Sequence, residues 1–182
     1  MGDEPVDERD LLVRAAAGDQ GAVRRLVDEV GPIVFGYVFA RVAGDRPAAD
    51  DVVQDTFLEA LRGATTYRGD ARLATWMCGI ARHRVLRHFE AERRQTAALE
   101  VVSAEVADPS PLDVGAMVDD RDEVVRALGR LPLLHRQVLV LKYLDGEPVV
   151  AIAHELDRTP VQVQSLLQRA RVALRRELEV GV

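Results

Sequence analysis

One cysteine, Cys78, and one lysine, Lys142, stand in a chain of 182 residues. A lone thiol excludes an internal disulfide and any cysteine-rich zinc site. Aromatic residues make up only 4%, so Leu, Val and Ala must fill whatever cores form. No apolar run approaches the roughly 18 residues that a membrane span needs. The first eight residues include four acids and lack the basic start and apolar middle of a secretory leader. A soluble, cytoplasmic protein without direct membrane insertion is the expectation. The scarcity of lysine puts nearly all positive charge on arginine, whose planar fork suits phosphates and base edges.

The net charge of −6 hides an uneven layout. Residues 1–60 carry 13 acids against 6 arginines, and residues 61–94 carry 8 arginines against 3 acids. Residues 95–123 carry 8 acids against Arg121 alone, and residues 124–182 carry 9 basic residues against 6 acids. Two positive blocks flank a negative connector, a distribution with electrostatic content.

Helical periodicity dominates, and no period-2 strand pattern emerges. Leu11, Leu12 and Ala15 begin a short helix that Gly18 ends. Asp19 caps a second helix with Val23, Leu26, Val27 and Val30 on one face, and Pro32 is expected to kink or break it. The run from Ile33 to Val42 reads as fully buried. Asp45 and Pro47 open a third helix that Gly63 closes, and Asp70 is expected to cap a fourth from about Ala71 to Arg94. The pattern dissolves from Gln95 to Asp122, where Asp108-Pro-Ser-Pro and scattered acids mark an extended linker. It returns at Val124. The expected fold is all-α: two small helical domains, 1–94 and 123–182, joined by an acidic flexible linker, 95–122.

Near the C-terminus, Val149, Ile152, Ala153 and Leu156 form an apolar stripe, followed by an Asp157-Arg158 turn. Thr159 then caps a last helix, with Pro160 at its first position and Gln162 completing a Thr-x-x-Gln capping box. Val163, Leu166, Leu167, Ala170 and Leu174 share one face of that helix. Ser165, Gln168, Arg169, Arg175 and Arg176 lie opposite, with Gln164 on the flank. A short helix, a turn and a longer helix with a polar, basic outer face is the build of a major-groove reader. The same pattern also fits an ordinary helical hairpin with a solvated arginine face.

In the third helix Val52, Val53, Thr56, Phe57, Ala60 and Leu61 form the expected buried face. Asp51, Gln54, Asp55 and Leu58 share another, with Asp50 beside them. A leucine among outward carboxylates suits docking to a basic, partly apolar helix. The carboxylates at 50, 51, 55 and 59 also fit oxygen ligation of a divalent metal, a reading opposed by the lack of a facing carboxylate cluster. The turn from Thr65 to Arg72 is polar and holds Tyr67, Arg68, Asp70 and Arg72, a composition suited to an unstacked base. The helix after it buries Trp76, Met77, Ile80 and Ala81 and directs Arg82, His83, Arg84, Arg87, His88, Arg93 and Arg94 outward.

Four motifs, Asp50-Asp-Val-Val-Gln-Asp-Thr-Phe-Leu, Tyr67-Arg-Gly-Asp-Ala, Thr75-Trp-Met-Cys-Gly-Ile-Ala-Arg and Leu131-Pro-Leu-Leu-His-Arg-Gln-Val-Leu, occur in this order. Together they resemble the extracytoplasmic-function group of sigma-70 factors, a resemblance that covers about Leu11–Leu178. It implies a dissociable specificity subunit of RNA polymerase, not an enzyme, needing no cofactor or metal. In that picture Asp50, Asp51, Gln54, Asp55 and Leu58 dock on the β′ clamp helices of core polymerase. Tyr67, Arg68, Asp70 and Arg72 hold a flipped base of the −10 element, and Arg82, His83, Arg84 and Arg87 contact the −10 region. Thr159, Gln164, Ser165, Gln168 and Arg169 read the −35 element, in a domain that also meets the β flap. The connector threads into the polymerase cleft, and an anti-sigma factor covers these surfaces until a signal arrives. Two departures stand out: His83 where the family often has Asn, and Val161-Gln-Val-Gln-Ser-Leu-Leu in the reading helix, which lacks basic contacts at 164 and 166. A polymerase-independent helix-turn-helix regulator is the alternative, and a metal-dependent helical hydrolase using Asp51, Asp55 and Glu59 the other.

Overall fold

A computed structural model describes residues 7–96 and 121–180. The expected linker lies almost wholly outside these residues. The described elements are helical: α1 Glu8–Ala16, α2 Gln20–Arg41, α3 Arg46–Arg62, a 3-10 turn Ala64–Thr66, α4 Leu73–Thr96, α5 Arg121–Arg130, α6 Leu133–Leu139, α7 Val149–Glu155 and α8 Pro160–Val180. Contacts divide the chain after His88, so the last two turns of α4 pack with the second unit.

In the first unit, local capping sets the helix starts. The Asp19 carboxylate accepts from the amides of Gly21 and Ala22, at 2.9 and 3.2 Å. Asp45 accepts from the amide of Ala48 at 3.0 Å. Each satisfies amides that a helix N-terminus leaves without partners. Gly18 ends α1 with φ +88°, a left-handed conformation that glycine adopts without a Cβ penalty. Leu12, Leu26, Val34, Val38, Leu73, Met77 and Val85 lose almost all contact with water and form the core. Burying each such side chain stabilises the fold by roughly 1.5–3 kcal/mol.

Four expectations for this unit need correction. First, α2 is not broken at Pro32 but runs through it. The ring lies on the exposed side, while Ala22, Leu26, Val30, Val34 and Val38 form an unbroken buried ladder at four-residue spacing. That burial offsets a proline cost of about 3 kcal/mol. Second, the same ladder leaves Val27 49% exposed and Ile33 53% exposed, so neither the predicted face nor the Ile33–Val42 run is wholly buried. Phe35 and Phe39 stack half-buried with ring centroids 5.5 Å apart. Arg41 covers the Tyr37 ring at 3.4 Å. Third, Val53, Phe57 and Leu61 in α3, and Trp76 and Ile80 in α4, are half-buried rather than core. Fourth, α4 begins at Leu73 rather than at Ala71. Its first amide is met by Glu8 of α1, at 2.7 Å, in place of a local cap by Asp70.

In the second unit, α6 passes into a π-helical turn at Val140–Leu144, which ends at Gly146 with φ +72°. Ile152, Ala153 and Leu156 of α7 are buried, as are Val163, Leu166, Leu167, Ala170 and Leu174 of α8. Asp157 takes φ +53° in the connecting turn, a left-handed conformation that Asp tolerates better than most residues. The capping box forms as expected: the Thr159 amide donates to Gln162 Oε1 at 2.8 Å and the Gln162 amide to Thr159 Oγ1 at 3.2 Å. Thr159→Ala removes one of these bonds and is expected to lower the second unit's stability by about 1 kcal/mol. Chemical denaturation followed at far-ultraviolet wavelengths measures it, and an unshifted midpoint contradicts it.

Candidate partner and nucleic-acid interfaces

On α3 the residues facing inward are Ala48, Ala49, Val52, Thr56 and Ala60. The fully buried Thr56 hydroxyl is satisfied by donating to the Val52 carbonyl at 2.7 Å. The inward stripe turns Asp50, Asp51, Gln54 and Asp55 to solvent, and Leu58 stays 42% exposed among them. An apolar side chain held in water between carboxylates gains most by covering against an apolar, basic partner.

Asp55, and Glu59 one turn from it on α3, face a cation of α4. Arg84, expected to contact DNA, is instead half-buried against α3: its guanidinium pairs with Glu59 at 2.5 Å and with Asp55 at 3.6 Å. Its charge is therefore compensated within the unit. The metal reading loses ground for the same reason, because a guanidinium already occupies the pair of carboxylates that it needs. Arg87 and His83, one turn apart on α4, are exposed, while Arg82, His88 and Arg93 are half-buried. Arg84→Ala is expected to loosen the α3–α4 pairing by about 1 kcal/mol, in the range of partly exposed ion pairs. It should leave the salt dependence of DNA binding unchanged, whereas Arg87→Ala lowers the slope by about one. Equal slopes for the two variants contradict this assignment.

The loop between the 3-10 turn and α4 divides its residues sharply. Arg68, Gly69, Asp70, Ala71 and Arg72 are exposed, and Gly69 adopts φ +81°, where a side chain is strained. Tyr67 is 2% exposed, with its ring tilted against Trp76 at 5.2 Å between centroids. Its hydroxyl lies 2.7 Å from the Ala71 carbonyl oxygen and 2.9 Å from Glu8 Oε2. The ring is thus part of the loop's foundation and presents no face to a base, contrary to the sequence expectation. Burial, and then the neighbouring Glu8, pushes its hydroxyl up to about 12, so it stays a donor at neutral pH. Glu8 itself escaped sequence reasoning, since no local pattern links it to a loop about sixty residues away.

On α8, Thr159, Gln164 and Ser165 are exposed, while Gln168 and Arg169 are half-buried. Arg169 Nε is buried without a hydrogen-bond partner among the described residues. Leu166 is buried in the hairpin core, so the side chain at that position is unable to serve as a DNA contact. Arg158 and Val161, both exposed beside the cap, extend this surface beyond the residues singled out from sequence.

Two family models match the segments that carry these surfaces. Residues 26–95 match the family described as sigma-70 region 2, and residues 121–174 match sigma-70 region 4. The chain belongs to the sigma-70 family of RNA polymerase sigma factors. Within that family it falls in the ECF group. It is 31% identical to the ECF RNA polymerase sigma factor BldN of Streptomyces coelicolor, over 88% of this chain and 62% of that protein. It is 29% identical to the ECF RNA polymerase sigma-E factor of Escherichia coli K12, over 94% of each. The chain therefore spans about three fifths of the length of one relative and nearly all of the other. Among solved structures it is similar to the sigma factor RpoE of Bartonella quintana, seen in complex with the anti-sigma factor NepR. The TM-score is 0.47 at 21% identity, covering 88% of this chain and 98% of that one.

Proposed function

We propose that this chain is an alternative sigma factor that binds core RNA polymerase, directs it to specific promoters and assists opening of the −10 element. The observation that carries the reading is the division of exposed residues within the segment matched to region 2. Helix α3 offers Asp51, Gln54, Asp55 and Leu58, whereas the following loop and α4 offer Arg68, Asp70, Arg72, His83 and Arg87. The first set suits a basic, partly apolar helix such as those of the β′ clamp. The second suits an extruded base and the adjoining phosphates. The α8 surface, Thr159, Gln164, Ser165, Gln168 and Arg169, serves the −35 element in a domain that also meets the β flap.

The free chain binds promoter DNA poorly in this scheme, because its net charge is −6 and its basic patches are small. Core polymerase fixes the spacing of the two modules, so that weak contacts combine through effective concentration. The role is one of binding and deformation, with no catalytic group, in the cytoplasm. An anti-sigma factor that covers both modules keeps the chain inactive until a signal releases it. No helix among the described residues is long and apolar enough to cross a membrane.

Run-off transcription with core polymerase tests the proposal. Initiation from defined sites only when the chain is added supports it. Tight, sequence-selective duplex binding without polymerase, and no effect on initiation, favours an independent helix-turn-helix regulator instead.

A further inference from the structure

Helix α1 precedes the segment matched to sigma-70 region 2, which begins at residue 26. It nevertheless supplies the carboxylate that closes the loop offered above for base recognition. Glu8 Oε2 accepts the Leu73 amide at 2.7 Å and lies 2.9 Å from the Tyr67 hydroxyl. One oxygen atom therefore holds both ends of the segment from 67 to 73. Between those ends the same hydroxyl, which has one proton to share, also lies 2.7 Å from the Ala71 carbonyl oxygen, and the Arg72 carbonyl accepts the Trp76 amide at 3.1 Å. The intervening side chains of Arg68, Asp70 and Arg72 are exposed.

We propose that Glu8 is a positioning residue for −10 recognition, clasping the 67–73 loop so that its exposed side chains meet the extruded base in one fixed arrangement. This rests on the sigma-factor reading given above. The physical reason is twofold. A carboxylate at the first amide of a 24-residue helix is favoured by the helix dipole. The same oxygen also fixes the buried Tyr67 at the far end, and so removes the conformational freedom that the loop would otherwise lose on binding. The raised Tyr67 hydroxyl keeps the donor protonated throughout the neutral range. Glu8 is not needed to dock α1, because Leu11, Leu12 and Ala15 already bury that helix. The clasp and the docking of α1 are thus separable.

The test uses the full chain with core polymerase and a promoter library randomised in both elements, comparing wild type, Glu8→Ala and Glu8→Gln. Amide exchange at Leu73 is followed in the free proteins. Glu8→Ala is expected to retain core binding and −35 preference, to lose roughly tenfold in −10 selectivity, and to exchange the Leu73 amide roughly tenfold faster. Glu8→Gln, whose amide oxygen still accepts both bonds, is expected to restore most of each. Unchanged −10 selectivity in Glu8→Ala, with an active wild type, overturns the clasp and leaves the sigma reading standing. Equal losses at both elements, or no recovery with glutamine, overturn it too, since they are what general destabilisation produces. A wild-type chain that fails to direct initiation overturns the sigma reading and the recognition role together, and the wild-type arm alone reveals that case.

Discussion

Asp51→Arg combined with Leu58→Arg is expected to weaken binding to core polymerase more than about a hundredfold while leaving the first unit folded. Both positions are exposed, so neither change removes a core contact. At a desolvated interface, charge reversal sets like charges together at a cost of several kcal/mol, and each 1.4 kcal/mol is a tenfold loss. The leucine change adds the lost burial of an apolar anchor and strands a second cation there. Asp55 lies 3.6 Å from Arg84, so its reversal would drive two guanidinium groups together and confuse docking with stability. Pull-down with core enzyme at moderate salt, beside thermal melting of the free chain, gives the answer. Wild-type retention of the double variant removes the acidic face of α3 from the docking surface.

Ile152→Asp has the largest expected effect on stability. Ile152 is fully buried between α7 and the rest of the second unit. The substitution removes an apolar side chain worth roughly 1.5–3 kcal/mol and forces a carboxylate into a fully buried position, which costs several kcal/mol more. That approaches the whole stability of a small helical domain. Because contacts divide the chain into two compact units, the second is expected to unfold while the first remains native. Nuclear magnetic resonance spectra should lose the dispersed signals of residues 121–180 and keep those of 7–88. Core binding through α3 should survive and −35 selectivity should vanish. Loss of both signal sets would show that the units fold as one.

How far the sequence reached depends on the range of the interaction. Caps at Asp19 and Asp45 and the Thr159–Gln162 box rest on residues two or three positions apart. Local composition therefore dictates them. The stripe Asp51, Gln54, Asp55 and Leu58 was legible for the same reason, because 3.6-residue periodicity fixes which side chains share a face. Pro32 misled because its penalty is local whereas the ladder of burial that offsets it is tertiary. Val27 and Ile33 misled because an apolar residue one step away from the buried ladder turns outward however hydrophobic its neighbours are.

Tyr67 and Arg84 show the boundary most clearly. An exposed aromatic beside arginines and a buried one look alike in sequence, and only the packing of Trp76, with Glu8 reaching from α1, decides that the ring is foundation. An arginine on a basic helix reads as a phosphate contact until α3 brings Glu59 and Asp55 against it, across 25 and 29 positions. By itself the sequence determined the helices, their principal faces and the uneven distribution of charge, all products of short-range periodicity and capping. Tertiary structure alone decided which charges remain unpaired at the surface and what holds the 67–73 loop, because partners distant along the chain meet only when the apolar faces close.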